Sequence, residues 1–103
     1  MAEQEVRWAY AARADLLEAL QYLVEQSPAS AASFLEQVEQ AARSLSRLPE
    51  RGSRVREVEV PGLRQLIVGR YRLIYRVEEG AVGIARLIHG SRNFREAWSE
   101  RER

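Results

Sequence analysis

The sequence has 103 residues, 46% hydrophobic and 30% charged, so we predict one folded domain over residues 1–103 rather than a disordered chain. It has no cysteine and one histidine, which excludes a disulfide scaffold and argues against a zinc site; we expect no metal and no cofactor. No apolar stretch is long enough to cross a membrane, and the N-terminus lacks the features of an export signal. We therefore expect a cytoplasmic protein with no membrane partner.

The charge is balanced overall but is divided unevenly along the chain. All 16 basic residues are arginine, against 15 acidic residues, for a formal net charge of +1. Residues 1–50 contain four arginines and eight acids, whereas residues 51–103 contain twelve arginines and seven acids. The second half of the chain is therefore the cationic part of the molecule.

The first half of the sequence predicts a short strand followed by two helices. Residues 5–8 are typical of a strand, and apolar residues at helical spacing predict a helix over residues 10–26. Ser27 is a suitable N-cap and Pro28 a suitable first residue for a second helix. That helix is predicted to continue to about residue 48. With so short a connection, the two helices should form an antiparallel hairpin.

The second half changes to the two-residue period of strands. Val58 and Val60 alternate with glutamates, which predicts a strand before the Pro61-Gly62 turn. Alternation and turn residues predict three more strands, over residues 63–68, 71–77 and 81–89. Asn93 followed by Glu96 predicts the capped start of a short final helix.

These elements predict an α+β fold. The N-terminal strand and the helical hairpin should pack on one face of a small antiparallel sheet of about four strands, followed by a short C-terminal helix or tail. The helix-covered face should carry the alternating apolar residues Tyr71, Leu73, Tyr75 and Val77. The opposite face should be open to solvent and should carry Arg70, Arg72 and Arg76.

This arginine face is the first candidate site. Guanidinium groups have the planar, forked donors that suit phosphates and carboxylates. We expect Arg64, Arg86 and Arg92 to add to the same surface. Two interpretations are open: a surface for anions or an acidic partner, and an ordinary solvated sheet face.

His89 and two glutamates are the other candidates for chemistry. His89 ends the last predicted strand, where it can serve in proton transfer or simply hold a backbone carbonyl. Glu57 and Glu59 can act as a base beside the arginines, or as ion-pair partners of a neighbouring strand. The sequence shows no phosphate-binding glycine loop, no nucleophile elbow and no paired metal motif.

Three segments of the sequence are similar to a known family. They are Pro61-Gly62-Leu63-Arg64, the segment from Val68 to Val77 (VGRYRLIYRV), and Ile88-His89-Gly90-Ser91-Arg92. With these segments the chain resembles the RelE/ParE superfamily of bacterial toxins from type II toxin–antitoxin pairs, over Val6 to about Phe94. The resemblance implies the same arrangement of a helix hairpin on a small sheet. It also implies a cognate antitoxin that wraps the toxin, commonly as two toxins with two antitoxins.

The RelE branch of this superfamily cuts messenger RNA on the ribosome. There the ribose 2′-hydroxyl attacks the adjacent phosphate, which requires a base, cations and an acid. RelE uses lysines, two arginines and a tyrosine near the C-terminus. Here Arg72 matches one arginine and Arg92 lies near the second, but the chain has no lysine and no tyrosine after Tyr75. Some ribonuclease relatives use Glu and His instead, so Glu57 or Glu59 together with His89 would complete the candidate set.

The ParE branch blocks DNA gyrase and has no such catalytic set. The pattern of this chain is closer to ParE, which implies inhibition of gyrase by binding. Candidate residues for binding the target or the antitoxin are Arg64, Arg70, Arg72, Arg76 and Arg92. The alternatives are a RelE-like messenger ribonuclease, with ribosome and mRNA as partners, and a member that only binds antitoxin.

Overall fold

The computed structural model describes residues 3–100. The first three elements of the fold have the bounds, or nearly the bounds, that the sequence predicts. Strand β1 spans Glu5–Trp8, helix α1 spans Tyr10–Gln26 and helix α2 spans Pro28–Ser44. The side chain of Ser27 caps α2, because its Oγ accepts a hydrogen bond of 3.3 Å from the backbone N–H of Ser30. None of the helices in this described part of the chain is long and apolar enough to cross a membrane.

Helix α2 ends four residues earlier than the apolar spacing predicts. After Ser44 the backbone turns, and the N–H groups of Leu45 and Ser46 donate to carbonyls three residues back rather than four. Leu45 nevertheless stays fully buried. The periodic pattern therefore continues past the end of the helix, because the tightened turn keeps the same side facing the core.

The remaining strands form one sheet with β1. They are β2 (Ser53–Arg54), β3 (Leu63–Val68), β4 (Tyr71–Glu78) and β5 (Ala81–His89), followed by helix α3 (Phe94–Glu100). The strand order is β1-β5-β4-β3-β2. Strands β3, β4 and β5 are antiparallel neighbours as predicted, and β2, which the sequence did not predict, pairs antiparallel with β3. Strand β1 lies at the edge of this sheet and pairs parallel to β5, so the sheet is mixed.

The face of the sheet under α1 and α2 is the predicted core. Leu73 and Tyr75 of β4 are fully buried there, together with Ile84 of β5 and Val38 of α2. Tyr71 and Val77 pack at the margin of the same cluster. Alternation along β4 thus identifies the covered face correctly.

The prediction that the opposite face is open to solvent is wrong for the centre of that face and holds at Arg76 and Ile67, which are exposed. A second core covers the rest of that face, made of Val55, Leu63, Ile74, Ile88, Phe94 and Ala97. Ile74, which alternates with the arginines of β4, is fully buried. Helix α3 and the segment of residues 55–60 provide the cover. Phe94, Ala97 and Trp98 stand three or four residues apart, so even this short helix presents one apolar side.

The strand predicted around Val58 and Val60 does not form. Residues 55–62 are a loop that closes on itself, since Val55 N–H donates to the Leu63 carbonyl and Leu63 N–H donates to the Val60 carbonyl. Val58 and Val60 both pack against the second core. The two valines thus pack on the same core from a loop, without the hydrogen bonds of a paired strand. A two-residue period in the sequence cannot distinguish these two cases.

The helix-covered core makes a first prediction. Leu45 is fully buried, so Leu45→Ala should lower the free energy of unfolding by about 2–5 kcal/mol. Leu17 of α1 is 58% exposed, and Leu17→Ala is the matched control, expected to change stability by less than about 0.5 kcal/mol. Urea unfolding followed by circular dichroism measures both. Wild-type stability in the Leu45 variant would contradict the packing of α2 on the sheet.

Candidate functional site

Arg72 of β4 is held within the protein rather than displayed on an open face. Its Nη1 and Nη2 donate to the two carboxylate oxygens of Glu57, at 2.9 and 3.0 Å. Its Nε donates to Gln65 Oε1 at 2.6 Å, and the guanidinium carbon lies 4.4 Å from the centre of the Phe94 ring. Only 15% of the Arg72 side chain is exposed. Of the two interpretations of Glu57, the structure confirms the ion-pair partner.

The contact with Arg72 changes the titration of Glu57. Hydrogen bonds from Arg72 are the main reason that the pKa of Glu57 lies below its usual value, with partial burial acting in the opposite direction. The carboxylate therefore stays ionised and paired under neutral conditions. In this state it is an acceptor for Arg72 and not a base with a free lone pair facing a substrate.

Arg86 is buried, which corrects the expectation that it adds to an exposed surface. Its Nε donates to Asp15 Oδ2 at 2.6 Å and its Nη2 donates to Asp15 Oδ1 at 3.2 Å. Its Nη1 donates to the carbonyls of Ala97 and Trp98 in α3. The same Asp15 carboxylate accepts the backbone N–H of Leu87 at 2.9 Å. Arg86 is thus a structural ion pair that links α1, β5 and α3.

Sequence reasoning missed the role of this pair. The signal was an aspartate on the buried side of α1, more than one turn from either end of the helix. Asp15 is 7% exposed, between the buried Ala12 and Ala19. A charged residue in such a position requires a buried partner. The partner lies 71 residues away along the chain, beyond the reach of local patterns.

Arg64 lies on the helix side of the sheet, away from Arg72 and Arg76. Its neighbour across the strands is Tyr75, whose side chain belongs to the helix-covered core. Arg64 Nη1 donates to the carbonyls of Gly52, at 2.7 Å, and Glu50, at 3.3 Å. Its role in the structure is to hold the 50–52 turn against the sheet.

Gly52 shows how closely that turn approaches the sheet. Its N–H donates to the Tyr75 hydroxyl at 2.8 Å. A Cβ at this position would lie 2.5 Å from the Gln65 carbonyl oxygen and 2.6 Å from the Tyr75 hydroxyl. Only glycine fits without moving the backbone.

His89, Arg70 and Arg92 come together at one corner of the molecule. Gly90 N–H donates to the Arg70 carbonyl at 2.8 Å, which ties the β3–β4 turn to the residues after β5. The His89 ring stands edge-on to Tyr71, with ring centres 5.0 Å apart. Both arginines are exposed, although Arg92 pairs with Glu100 at 2.5 Å, and this bond raises the pKa of Arg92. We name this surface the arginine corner: Arg70, His89 and Arg92.

The histidine at this corner is held by Ser91. His89 Nδ1 accepts the backbone N–H of Ser91 at 3.0 Å and lies 2.8 Å from the Ser91 hydroxyl. An acceptor Nδ1 places the ring hydrogen of a neutral imidazole on Nε2. The bonding partner is therefore a backbone amide, not the carbonyl expected from the sequence. Glu59 is exposed, and no hydrogen bond or ion pair joins it to His89 or Arg92 among residues 3–100.

The predicted arginine face is therefore divided. Arg72 and Arg86 are held inside, Arg64 supports a turn on the other face, and Arg92 pairs with Glu100. In the second half of the described chain, four exposed arginines make no side-chain hydrogen bond or ion pair: Arg54, Arg56, Arg70 and Arg76. These free guanidinium groups can bind carboxylates or phosphates. No group of three or more metal-ligating side chains is present within residues 3–100.

The family model for the ParE toxin of the type II toxin–antitoxin system parDE matches residues 6–94. The chain belongs to the ParE toxin family, within the RelE/ParE superfamily. It is 35% identical over 89 residues to Toxin RelE2 of Caulobacter vibrioides, covering 85% of this chain and 97% of that protein. Both branches of the superfamily are thus represented among its similar proteins.

Solved structures give the same fold. The chain aligns with the chromosomal ParDE toxin–antitoxin system from P. aeruginosa at a TM-score of 0.68 and 24% identity, covering 84% of this chain and 96% of that one. It also aligns with the toxin–antitoxin complex RelBE2 from Mycobacterium tuberculosis at a TM-score of 0.59 and 34% identity, covering 86% and 93%. This ParE-family chain is therefore the toxin of a type II toxin–antitoxin system, with the fold expected from the sequence.

The buried pair Asp15–Arg86 makes a second prediction. Replacing Asp15 with alanine leaves a buried guanidinium without its carboxylate, so the free energy of unfolding should fall by about 3–5 kcal/mol. The matched control is Arg7→Ala, which breaks an ion pair whose side chains are both 63% exposed and should leave the free energy of unfolding close to that of the wild type. Urea unfolding at neutral pH measures both. A cost below about 1 kcal/mol for Asp15→Ala would contradict the structural role of the pair.

The lowered pKa of Glu57 makes a third prediction, about pH. Because the folded-state pKa lies below the unfolded value of about 4.3, the pair stabilises the protein above that pH and is lost as the pH falls through the folded pKa. Glu57→Gln should therefore cost about 0.5–1 kcal/mol at pH 7, a modest value because 39% of the carboxylate side chain is exposed. The cost should shrink as the pH falls below about 4.

Glu59→Gln provides the control for this experiment, since Glu59 is an exposed carboxylate two residues away. It should match the wild type at every pH in urea titrations. A constant cost of Glu57→Gln between pH 7 and the acid limit would show that ionisation of Glu57 plays no part in its effect.

Proposed function

We propose that this ParE-family toxin inhibits DNA gyrase by binding, without breaking a covalent bond itself. The observation that carries the proposal is the state of Arg72, the residue that the resemblance assigns to RNA cleavage in RelE. Its guanidinium is taken up by Glu57, Gln65 and the Phe94 ring. A cation held in this way, with 15% of its side chain exposed and all three guanidinium nitrogens hydrogen-bonded, offers little to a scissile phosphate. The match to the ParE family model over residues 6–94 supports the same interpretation.

The remaining cleavage groups support binding as well. RNA cleavage through the 2′-hydroxyl requires a base and an acid within hydrogen-bond reach of the reacting oxygens. The sequence has no lysine and no tyrosine after Tyr75, and neither Glu57 nor Glu59 contacts His89. Candidate groups for general acid–base chemistry are therefore spread over the molecule.

The arginine corner is the surface that we propose for gyrase. Arg70 is exposed and makes no ion pair within the described residues, and the Gly90–Arg70 backbone bond fixes the turn that carries it. A cation on a fixed turn loses side-chain freedom but no backbone freedom when it meets a carboxylate. Of the candidate residues from the sequence, Arg70 and Arg92 are thus assigned to the target.

The second partner that we propose is a cognate antitoxin. Two similar solved structures are toxin–antitoxin systems, ParDE and RelBE2. By analogy the toxin would be held inactive in a complex of two toxins with two antitoxins. An adjacent reading frame that encodes a small DNA-binding protein with a charged tail would be the candidate gene.

A second candidate function is messenger ribonuclease activity on the ribosome. It is favoured by one observation, the identities of 35% and 34% to RelE2 and RelBE2, which exceed the 24% to the ParDE structure. This function predicts new mRNA 5′ ends within codons in a translating extract, lost on Arg72→Ala. A protein that neither cuts mRNA nor blocks gyrase but binds antitoxin would be the third class.

The fourth prediction tests the gyrase proposal. Purified toxin should inhibit DNA supercoiling by gyrase, and Arg70→Glu should raise the concentration required by about tenfold or more, because charge reversal at a contact weakens association. The matched control is Arg43→Glu, an exposed and unpaired arginine of α2, which should inhibit like the wild type. Thermal unfolding confirms that both variants are folded. Undisturbed gyrase at high toxin excess, together with mRNA cleavage in the extract, would replace the proposal with the ribonuclease.

A further inference from the structure

A groove beside the edge of the sheet carries the second group of free arginines. The loop of residues 55–62 and the neighbouring strands β2 and β3 enclose about 740 Å³. Three guanidinium-bearing residues line this space, Arg54, Arg56 and Arg64, and Glu59 is the one acid in the lining. The chain thus places a net positive charge in a concave site, where it acts more strongly than on a flat surface.

The arginines of this groove differ in their availability. Arg54 and Arg56 are exposed and make no hydrogen bond or ion pair through their side chains within residues 3–100. Arg64 is partly engaged with the 50–52 turn, and its Nη2 lies 3.7 Å from the Glu50 carboxylate. Two unengaged cations therefore remain for a ligand.

Apart from Glu59 and Gly62, the rest of the groove lining is apolar, and the groove adjoins a sheet edge. Val58 and Val60 line it and are only half-buried. Strand β2 is the last strand in the sheet order, so its outer edge has no neighbour in the described structure. An extended segment laid along such an edge points alternate side chains in opposite directions. One set can meet the arginines while the other set covers the valines.

We propose that this groove binds an extended, acidic segment of a partner protein in which carboxylate and apolar side chains alternate. The partner that we assign to it is the antitoxin, so this inference rests on the antitoxin partnership proposed above. A nucleic acid backbone fits less well, because half of the lining is apolar and Glu59 would face the phosphates. The groove and the arginine corner lie at opposite ends of β3, so the acidic segment would anchor the antitoxin at a distance from Arg70.

The fifth prediction tests the groove with a defined probe. A fluorescein-labelled peptide of eight residues, in which Glu and Leu alternate, is titrated with the full-length toxin and followed by fluorescence anisotropy. We expect binding that weakens with salt and is lost when Lys replaces each Glu of the peptide. The double variant Arg54→Glu/Arg56→Glu should bind the peptide at least tenfold more weakly, whereas Arg13→Glu, an exposed arginine of α1, should bind like the wild type.

Several results would overturn the proposal. They are equal binding of the peptide by the double variant and the wild type, equal binding of the Lys-containing peptide, and tighter, Arg54-dependent binding of a labelled oligonucleotide of the same charge. The milder Arg54→Ala/Arg56→Ala variant gives the same comparison if the charge-reversed protein fails to fold. Gyrase inhibition is measured separately. A wild type that binds the peptide but does not inhibit gyrase contradicts the proposal that gyrase is the target. A wild type that inhibits gyrase but does not bind the peptide contradicts only the proposal for the groove.

Discussion

The buried contact between Asp15 and Arg86 holds the two sides of this molecule together. Strand β1 pairs with β5 only as far as Ile84, and beyond that point Asp15 of α1 accepts the Leu87 N–H in place of a further strand. Arg86 then reaches from this carboxylate to the carbonyls of Ala97 and Trp98. A helix of seven residues is too short to be stable alone, so α3 depends on this bond and on the apolar contacts of Phe94.

Docking of α3 changes what the arginines of the sheet can do. With the second core in place, Arg72 lies against Phe94 and between Glu57 and Gln65, and Ile74 is sealed from water. The part of the sheet face around Arg72 and Ile74 thereby becomes an interior surface. Within residues 3–100, Arg54, Arg56 and Arg70 remain exposed and unpaired at the sheet edge, in the loop and in a turn, which is where our proposals place the two partners.

Local patterns predicted much of the fold. The bounds of β1, α1, β3 and β5 agree with the spacing of apolar residues and turns, and the Asn93 cap is confirmed by its 3.1 Å bond from the Glu96 N–H. The parallel pairing of β1 could not be predicted, since it depends on strands 76 residues apart (81 − 5). The candidate site was harder to predict from the sequence than the fold. Arg70, Arg72 and Arg86 look alike in a strand-period pattern, and only their distant neighbours distinguish an exposed cation from a structural one.

The same residue type therefore has three roles in this toxin, and its surroundings decide between them. An arginine with a buried carboxylate, such as Arg86, contributes to folding, because its removal leaves a charge in a medium that cannot solvate it. Arg72, with one partly exposed partner, contributes less to stability and fixes the position of a loop. Arg54 and Arg70 contribute almost nothing to folding while unpaired, so their charge is available in full to a partner. Substitution of the exposed arginines at the two ends of β3 is thus expected to weaken binding without lowering stability. Substitution of the buried arginines in the neighbouring strands is expected to lower both.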